Sequence, residues 1–320
     1  MAMESSSKPL VTVILTSFNQ SDFVLRALES VKKQEYPNLE LIIVDNGSRD
    51  QSADQIEKWS NQNADGLDSK LILRKEPMPY CKSFNEAFSL AKGRYLIDLS
   101  GDDELMPEHV SRSVAKLKEG IGAACCFSDV WLRDEKGRKR TFFKRDRDGH
   151  LAQKVKIGDV YRQVVERYCV PSVSLVFDTE ILRKQGGYDE SLSYEDFDII
   201  VRLARNYSFV FSNHIGVIKN IHAGSFSAAQ YAPKQSKMLP STLKVCWKIK
   251  EMNRRPRENE ALLKRIYYET KHALLSGNFE VAGGFLELAR QVGGNGLKFR
   301  LLQTWSAAKV NISPIYSLLK

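Results

Sequence analysis

The first hundred residues alternate between short apolar runs and amphipathic segments. Apolar runs rich in β-branched residues predict buried strands over residues 10–16, 39–44, 70–73 and 95–99. Between them, apolar side chains recur at helical spacing and predict helices over residues 21–33, 50–60 and 82–91. Repeated strand–helix units of this length predict an α/β fold, with a mainly parallel central sheet flanked by helices.

Beyond residue 120 the alternation becomes less regular. Strands are predicted over residues 123–132 and 173–177, and helices over 158–167 and 195–205. From Pro240 onwards the pattern is helical. We therefore expect a mixed, partly antiparallel second half and then an α-helical C-terminal extension.

Charge is distributed unevenly along the chain. The 320 residues carry a net charge of +9, and 27% of them are charged, as in an ordinary globular protein. Residues 1–235 are neutral overall, whereas residues 236–320 hold 15 basic and 6 acidic side chains. This break predicts two domains, 1–235 and a basic helical extension over 236–320. The extension would meet any anionic partner.

Targeting signals and cysteine spacing predict where the protein acts. No apolar run approaches the roughly eighteen residues of a transmembrane helix, and the first ten residues lack the apolar core of a signal peptide. The five cysteines are odd in number and lack paired spacing, which is typical of reduced thiols. These features predict a cytoplasmic protein.

Polar clusters follow the first, second and fourth predicted strands, at residues 16–19 (TSFN), 45–48 (DNGS) and 100–103 (SGDD). Ligands of open parallel sheets bind beyond the carboxyl ends of the strands, so these turns predict a site for a polar ligand. The alternative is that they contain only what strand-to-helix turns favour. No GxxxxGKS/T loop is present and no GxGxxG follows the first strand, which disfavours a P-loop phosphoryl transferase and a dehydrogenase.

Five motifs occur in the order and rough spacing of one enzyme family. They are VTVILTSFN, ALESVKKQEYPNLELIIVDNGSRDQS, AKGRYLIDLSGDDELMP, GGYDESLSYEDFDIIVRLA and IHAGSFS. Through them, residues 8–230 resemble the family 2 glycosyltransferases, which have the Rossmann-like GT-A fold. The resemblance implies that residues 1–235 form a GT-A domain acting on a nucleotide-sugar donor, and it leaves residues 236–320 outside.

The resemblance implies a donor site in the three polar turns. Its residues would be Thr16, Phe18, Asn19, Asp45, Gly47, Ser100, Gly101 and Asp102. Asp45 would accept a hydrogen bond from the imide N–H of uracil, so the implied donor is a UDP-sugar. The alternative is that Asp45 caps the helix that begins near residue 50. Gly47 would let the backbone approach the nucleotide closely.

Adjacent carboxylates in the third turn indicate a divalent metal. Asp102 and Asp103 repel each other unless a cation neutralises them, and few carboxylates with substrate phosphates suit Mn²⁺ or Mg²⁺. The family motif is usually Asp-x-Asp-Asp, and Ser100 replaces its first acid, so Asp102 becomes the main protein ligand. Asp98, on the same strand face as Ser100, is a candidate to compensate. The structural alternative is that Asp103 caps the following helix.

Three residues of the second half complete the implied active site. In the family, the acid that matches Asp196 takes the proton from the acceptor hydroxyl, and Glu195 precedes it. His222 matches a family histidine near the donor diphosphate and is a candidate metal ligand. The alternatives are an acidic helix N-terminus favoured by the helix dipole and a structural histidine.

One main hypothesis and one alternative follow for the function. The main hypothesis is a metal-dependent, inverting, hexosyltransferase-type glycosyltransferase that modifies a hydroxyl of a glycan or polyprenyl-linked acceptor in surface-polysaccharide biosynthesis. The alternative is a scaffold protein on a decayed transferase fold, favoured only by the departure at Ser100. Nucleic-acid binding would rest on charge alone and is not expected.

The basic extension predicts an anionic surface as a further partner. Its cations cluster in residues 244–271, and each basic residue near an anionic membrane gains about 1 kcal/mol. This predicts peripheral binding of residues 236–320 to the inner face of the cell membrane. The alternatives are that these helices form a homo-oligomer or cover the core.

Overall fold

The computed structural model describes residues 8–63 and 66–318. The chain forms two compact units. The sheet unit contains the described residues of 1–159 with 170–188 and 206–221, and the helical unit contains 160–169, 189–205 and 222–318. Because these units interleave along the chain, a functional boundary near residue 235 stays a prediction.

The sheet unit is built on one sheet, which has nine strands within the described residues. They are β1 (Val11–Ser17), β2 (Leu39–Asp45), β3 (Asp68–Leu73), β4 (Tyr95–Ser100), β5 (Glu104–Leu105), β6 (Ala123–Asp134), β7 (Lys139–Thr141), β8 (Val176–Asp178) and β9 (Ser208–Ile221). Their order is β3-β2-β1-β4-β8-β6-β9-β5, with β7 beside β6. The first four strands in this order are parallel, whereas β8 is antiparallel to both neighbours. This confirms the predicted α/β class and its mixed second half.

Helices flank the sheet and make up most of the helical unit. In chain order they are α1 (Val24–Lys32), α2 (Ser52–Gln62), α3 (Tyr80–Ser89), α4 (His109–Glu119), α5 (Tyr161–Glu166), α6 (Thr179–Lys184), α7 (Asp196–Asn206), α8 (Leu239–Met252), α9 (Pro256–Leu275), α10 (Phe279–Gln291), α11 (Gly296–Ala308) and α12 (Ser313–Leu318). Of these, α5 and α8 to α12 lie in the helical unit, as does α7 up to Arg205. The predicted helical C-terminal extension is therefore present.

The apolar strands explain why the candidate turns are held in place. All seven residues of β1 are buried, and so are the last six of β2. α1 contributes buried side chains at helical spacing, including Val24, Leu28 and Val31. Burial of one such side chain stabilises the fold by about 1.5–3 kcal/mol. The carboxyl ends of these strands thus carry their turns on a rigid support.

β9 is the main element that the sequence pattern did not predict. It runs parallel to β6 along most of its length, with register shifts near Ser128 and Asp129. Ser212 and His214 are buried within it, so apolar and polar positions do not alternate cleanly. Pairing with a strand far away in the sequence, rather than a local pattern, stabilises β9.

Several cations of the helical unit are engaged inside that unit. Arg265 is buried and lies 3.2 Å from the Glu269 carboxylate. The Lys248 ammonium lies 2.7 Å from the buried Asp198 carboxylate. Part of the basic cluster over residues 244–271 therefore neutralises internal acids instead of facing an external partner.

Helix length and cysteine burial bear on the environment that the sequence predicts. Among residues 8–63 and 66–318, no helix is both long and apolar enough to cross a bilayer. The five cysteines are free, and four of them are buried. This agrees with the reduced thiols predicted from their spacing.

Candidate active site

The three polar turns of the sheet unit meet at one edge of the sheet. The backbone N–H of Asn46, after β2, donates to the Ser17 carbonyl at 2.8 Å. The backbone N–H of Gly101, after β4, donates to the Thr16 carbonyl at 2.8 Å. The turn after β1 therefore lies between the other two, as the parallel strand order requires.

Asn19 fastens the first turn to the second. Its backbone N–H donates to the Ser48 hydroxyl at 2.9 Å, and its side-chain carbonyl accepts from the Arg49 N–H at 2.8 Å. It adopts a φ of +53°, a left-handed conformation that asparagine tolerates better than most residues. The neighbouring Phe18 ring is 46% exposed, so it is accessible to a ligand. The polarity of this turn thus has a structural purpose as well as a candidate binding one.

Asp45 is held within its own turn. Its carboxylate accepts from the backbone N–H groups of Gly47 and Ser48 at 3.1 and 2.9 Å, and from the Ser48 hydroxyl at 2.5 Å. It does not cap α2, so that alternative is wrong. Asp50 instead accepts from the Ser52 N–H at 2.9 Å at the start of that helix. The role of Asp45 toward a nucleotide base stays a prediction.

Gly47 is required by its surroundings in the protein itself. Its φ is +81°, and a Cβ atom there would lie 2.5 Å from the backbone of Glu76 and Pro77. Any side chain would push that loop away. The close approach of a nucleotide, which the sequence suggested, remains a second and untested reason for glycine.

Ser100 and Asp102 form one hydrogen-bonded pair at the third turn. The Ser100 hydroxyl donates to the Asp102 carboxylate at 2.5 Å, and the Gln20 amide nitrogen lies 3.4 Å from the same hydroxyl. Gly101 lies between them, and a Cβ atom there would lie 2.6 Å from the end of the Gln20 side chain and 3.0 Å from the Ser17 Cβ, so Gln20 would have to move to admit a side chain. The serine that departs from the family motif therefore orients the remaining acid.

Asp103 anchors β9 and does not cap α4. Its carboxylate accepts from the Asn220 backbone N–H at 3.0 Å. Burial, and then the charge of Asp102, raises the pKa of Asp103 to about 7. The helix-capping alternative is therefore wrong for this residue.

The chemistry of the third turn fits a divalent cation. The Asp102 side chain is 8% exposed and lies beside the buried Asp103 carboxyl, so an added positive charge would relieve their repulsion. Asp102 and the Ser100 hydroxyl offer hard oxygen donors, which Mn²⁺ and Mg²⁺ prefer. Few protein ligands are available within this turn, so substrate phosphates would complete the coordination.

Asp98 belongs to a tyrosine network instead of this donor set. Its two carboxylate oxygens accept from the Tyr80 hydroxyl at 2.8 Å, and one of them accepts from the Tyr188 hydroxyl at 2.7 Å. Burial raises the pKa of Asp98 to about 6, and both hydroxyls oppose a further rise. These bonds do not support Asp98 as a substitute for the acid missing at Ser100.

We expect the double variant Tyr80→Phe/Tyr188→Phe to be less stable than the wild type, by a margin that widens as pH rises. A raised folded-state pKa means that stability falls as Asp98 ionises between about pH 4 and pH 6. Without its donors the pKa of Asp98 rises further, so the ionised form loses about 1–3 kcal/mol more stability above pH 6. Thermal melts near pH 5 and pH 8 measure this margin, with the exposed Tyr268→Phe as control. An equal margin at both pH values would contradict the expectation.

The catalytic candidates of the second half lie in the helical unit. Asp196 opens α7 and Glu195 precedes it, with the Glu195 carbonyl accepting from the Ile199 N–H at 3.0 Å. Asp198, one position beyond Phe197, is buried and binds the Arg202 guanidinium at 2.7 Å. The last acid of this motif is thus structural, which leaves Glu195 and Asp196 as candidates at the helix start. Their catalytic roles stay predictions.

His222 begins a tight turn in the same unit. Its backbone N–H donates to the Ser225 hydroxyl at 3.1 Å, and its carbonyl accepts from the Ser225 N–H at 3.0 Å. This turn gives a local reason for the His-Ala-Gly-Ser sequence. A metal contact for His222 stays a prediction.

Sequence reasoning missed Gln20 and the two tyrosines of the Asp98 network, and it gave Ser48 no individual role within the turn over 45–48. Gln20 lies beside Ser100 and Gly101, and Ser48 joins Asp45 to Asn19. Their adjacency to Asn19 and Gly47 in the motifs was the available signal. The tyrosines gave none, because their partner is far away in the sequence.

Comparison with known sequences identifies the family of the chain. The family model described as glycosyl transferase family 2 matches residues 12–175, just over half of the chain. The chain belongs to this family. The resemblance inferred from its motifs is thereby confirmed.

Two similar proteins illustrate the range of family 2 relatives. An uncharacterized glycosyltransferase of Methanocaldococcus jannaschii is 26% identical over 63% of this chain and 67% of its own length. WfaP of Escherichia coli, a UDP-Glc:α-D-GlcNAc-diphosphoundecaprenol β-1,3-glucosyltransferase, is 26% identical over 72% of this chain and 86% of its own. Two rickettsial relatives are matched over slightly less than two thirds of their length, 66% and 65%.

Two solved structures share the fold. TarS 1–349 of S. aureus in complex with UDP-GlcNAc superposes with a TM-score of 0.71 at 16% identity, over 97% of this chain and 92% of that one. The mannosyltransferase PcManGT of Pyrobaculum calidifontis, in complex with GDP-Man and Mn²⁺, gives a TM-score of 0.59 at 16% identity, over 95% and 81%. These likenesses confirm the predicted GT-A fold.

Proposed function

We propose that this protein is an inverting glycosyltransferase that moves a sugar from a UDP-sugar to a hydroxyl of a glycan or polyprenyl-linked acceptor in surface-glycan biosynthesis. One observation carries the proposal: hydrogen-bonded turns hold Asp45 and Asp102 in place at the same edge of the sheet. WfaP, whose name includes a UDP-sugar and a lipid diphosphate, supports this substrate class. The UDP-GlcNAc complex of TarS supports the donor.

Donor binding would divide between two of the turns. Asp45 would accept the imide N–H of uracil, while the backbone N–H groups of Gly47 and Ser48 hold its carboxylate in place. Asp102 would hold Mn²⁺ or Mg²⁺, with Ser100 orienting the carboxylate. When bound, the metal would neutralise charge on the departing nucleoside diphosphate. The Mn²⁺ complex of PcManGT supports a divalent metal.

The acceptor would be activated by a carboxylate of α7. Asp196 would take the proton from the attacking hydroxyl, whose oxygen forms the new bond to the anomeric carbon as the bond to the diphosphate breaks. Attack from the face opposite the leaving group inverts the anomeric configuration. Glu195 is the alternative base, and His222 the candidate contact to metal or diphosphate.

The scaffold alternative rests on Ser100, and the geometry of the turn weakens it. A decayed site would have no need for a serine that binds the remaining acid at 2.5 Å and contacts Gln20. We therefore propose a working enzyme that acts in the cytoplasm, at or near the inner face of the membrane. We expect no nucleic-acid partner, and a homo-oligomer formed through residues 236–320 stays an open alternative.

A panel of nucleotide sugars tests the proposed function. We expect UDP-sugars, tested with Mn²⁺ or Mg²⁺, to release UDP faster than GDP- or dTDP-sugars release GDP or dTDP, and a chelator to abolish release. Mass spectrometry of glycosylated acceptors and NMR of the new linkage report transfer and inversion. Absence of nucleoside diphosphate release from every nucleotide sugar would favour the scaffold alternative, and release unaffected by chelator would remove the metal from the reaction.

A further inference from the structure

α11 exposes an apolar stripe along its outer face. Leu297 and Leu301, one turn apart, are 74% and 62% exposed. Thr304 and Ala308 continue the same line and are also exposed. These spacings place all four side chains on one side of the helix. The two leucines are adjacent on the helix surface and form one patch, unlike the single exposed apolar side chains that are common on proteins.

The opposite face of α11 is already used for packing. Phe299 and Leu302 are each 8% exposed, and the helix contacts α9 and α10 within the helical unit. The buried face therefore fixes the orientation of α11. The leucines on the outer face of the helix do not contribute to the core. A helix with one buried side normally presents polar residues on the other.

Cations flank this stripe without any acid beside them in sequence. Lys298 and Arg300 are exposed on either side of the leucines, and Lys309 follows at the helix end. After Glu287 the chain contains five basic residues and no acidic ones. This differs from the 244–271 cluster, where carboxylates engage part of the positive charge.

We propose that the outer face of α11 docks the protein on an anionic lipid bilayer. We define this α11 face as Leu297, Lys298, Arg300, Leu301 and Thr304. The leucines would enter the boundary between headgroups and acyl chains, and the cations would contact lipid phosphates. Trp305, whose indole N–H donates to the Val310 carbonyl at 2.8 Å, lies beside the face as an interfacial aromatic. The proposal rests on the proposed function in one respect: a lipid-linked acceptor would give membrane docking a purpose.

Charge complementarity favours lipid over a second copy of the chain. A two-fold contact through the α11 face would bring Lys298 and Arg300 close to their own equivalents, without carboxylates from the same helix to offset them. A bilayer that contains phosphatidylglycerol has an apolar hydrocarbon core and an anionic surface. It therefore satisfies the leucines and the cations together.

Co-sedimentation of the full chain with vesicles tests the proposal. We expect binding to phosphatidylcholine vesicles with increasing phosphatidylglycerol, weakened by high salt and absent from pure phosphatidylcholine. Lys298→Gln/Arg300→Gln should lower partitioning by about fivefold for each cation removed. Leu297→Ser/Leu301→Ser should lower it by about tenfold or more, since both leucines lose their apolar contact.

Matched substitutions in the sheet unit separate the α11 face from general surface effects. Ile121→Ser/Leu90→Ser removes two exposed apolar side chains, and Lys58→Gln/Lys118→Gln removes two exposed cations. We expect both controls to bind vesicles like the wild type. All variants should keep wild-type melting temperatures and wild-type UDP release with soluble substrates.

Two results would overturn the proposal. One is a wild-type protein that ignores anionic vesicles at low salt, and the other is α11 variants that bind as well as the wild type. If sedimentation velocity shows that the leucine variant dissociates an oligomer while the wild type ignores vesicles, the face is a self-association surface. Vesicle binding by a protein that releases no UDP would contradict the proposed function and leave this inference standing.

Discussion

Replacement of Asp196 with asparagine should lower turnover by about 10²-fold or more while UDP binding persists. Asparagine keeps the shape of the side chain but cannot accept a proton from the acceptor hydroxyl. Binding should survive because the proposed donor contacts come from the turns of β1, β2 and β4. Steady-state rates give the loss in turnover, and calorimetry with UDP and Mn²⁺ gives the affinity.

Neighbouring acids on α7 provide controls for this variant. Asp198 is buried against Arg202 and Lys248, so Asp198→Asn should lower the melting temperature by more than Asp196→Asn does. Glu195→Gln should keep most of the activity if Asp196 is the base. A near-normal rate for Asp196→Asn, combined with a large loss for Glu195→Gln, would transfer the role to Glu195.

Local sequence pattern predicted the part of the fold that carries the donor site. β1, β2 and β4 are short apolar runs buried in the sheet, and the sequence places polar residues where each one ends. Parallel pairing then brings those ends together, so convergence of the three turns follows from strand order alone. The backbone hydrogen bonds from Asn46 to Ser17 and from Gly101 to Thr16 hold the three turns together at that edge.

Partnerships between distant residues could not be predicted in the same way. The sequence suggested helix capping for Asp103, but its partner is the Asn220 backbone, 117 residues away on a strand that was not predicted. Likewise, the sequence suggested Asp98 as a replacement for the acid missing at Ser100, but its carboxylate accepts from Tyr188, 90 residues later. A short polar side chain has several local uses, and only tertiary structure decides among them.

The basic extension shows the same limit for charge. Composition alone placed its positive excess in residues 236–320 and pointed to the dense run over 244–271. The structure uses Lys248 and Arg265 from that run to neutralise internal acids. The docking surface proposed above instead combines the less dense cations of α11 with exposed leucines, although Lys298 also lies over the Tyr267 ring at 4.9 Å. Charge density in a sequence therefore does not show which charges remain available.

Replacement of Asp102 with asparagine should remove the metal dependence of donor binding. We expect UDP affinity in Mn²⁺ to fall by about 10²-fold or more, to the level that the wild type shows in chelator. Asparagine retains an oxygen that can accept from Ser100 but lacks the negative charge that a hard cation needs. Calorimetry with UDP, in metal and in chelator, measures both levels.

Substitutions on either side of Asp102 decide what its neighbours contribute. Ser100→Ala removes the hydroxyl that binds the Asp102 carboxylate, so metal-dependent affinity should fall by less than in Asp102→Asn. Ser100→Asp restores the usual family motif and should raise metal affinity, because a second carboxylate then faces the cation. Asp103→Asn should keep the metal dependence, since the Asp103 carboxylate binds the Asn220 backbone. If Asp102→Asn binds UDP with the same metal dependence as the wild type, the cation lies elsewhere and the third turn serves only to bind the donor.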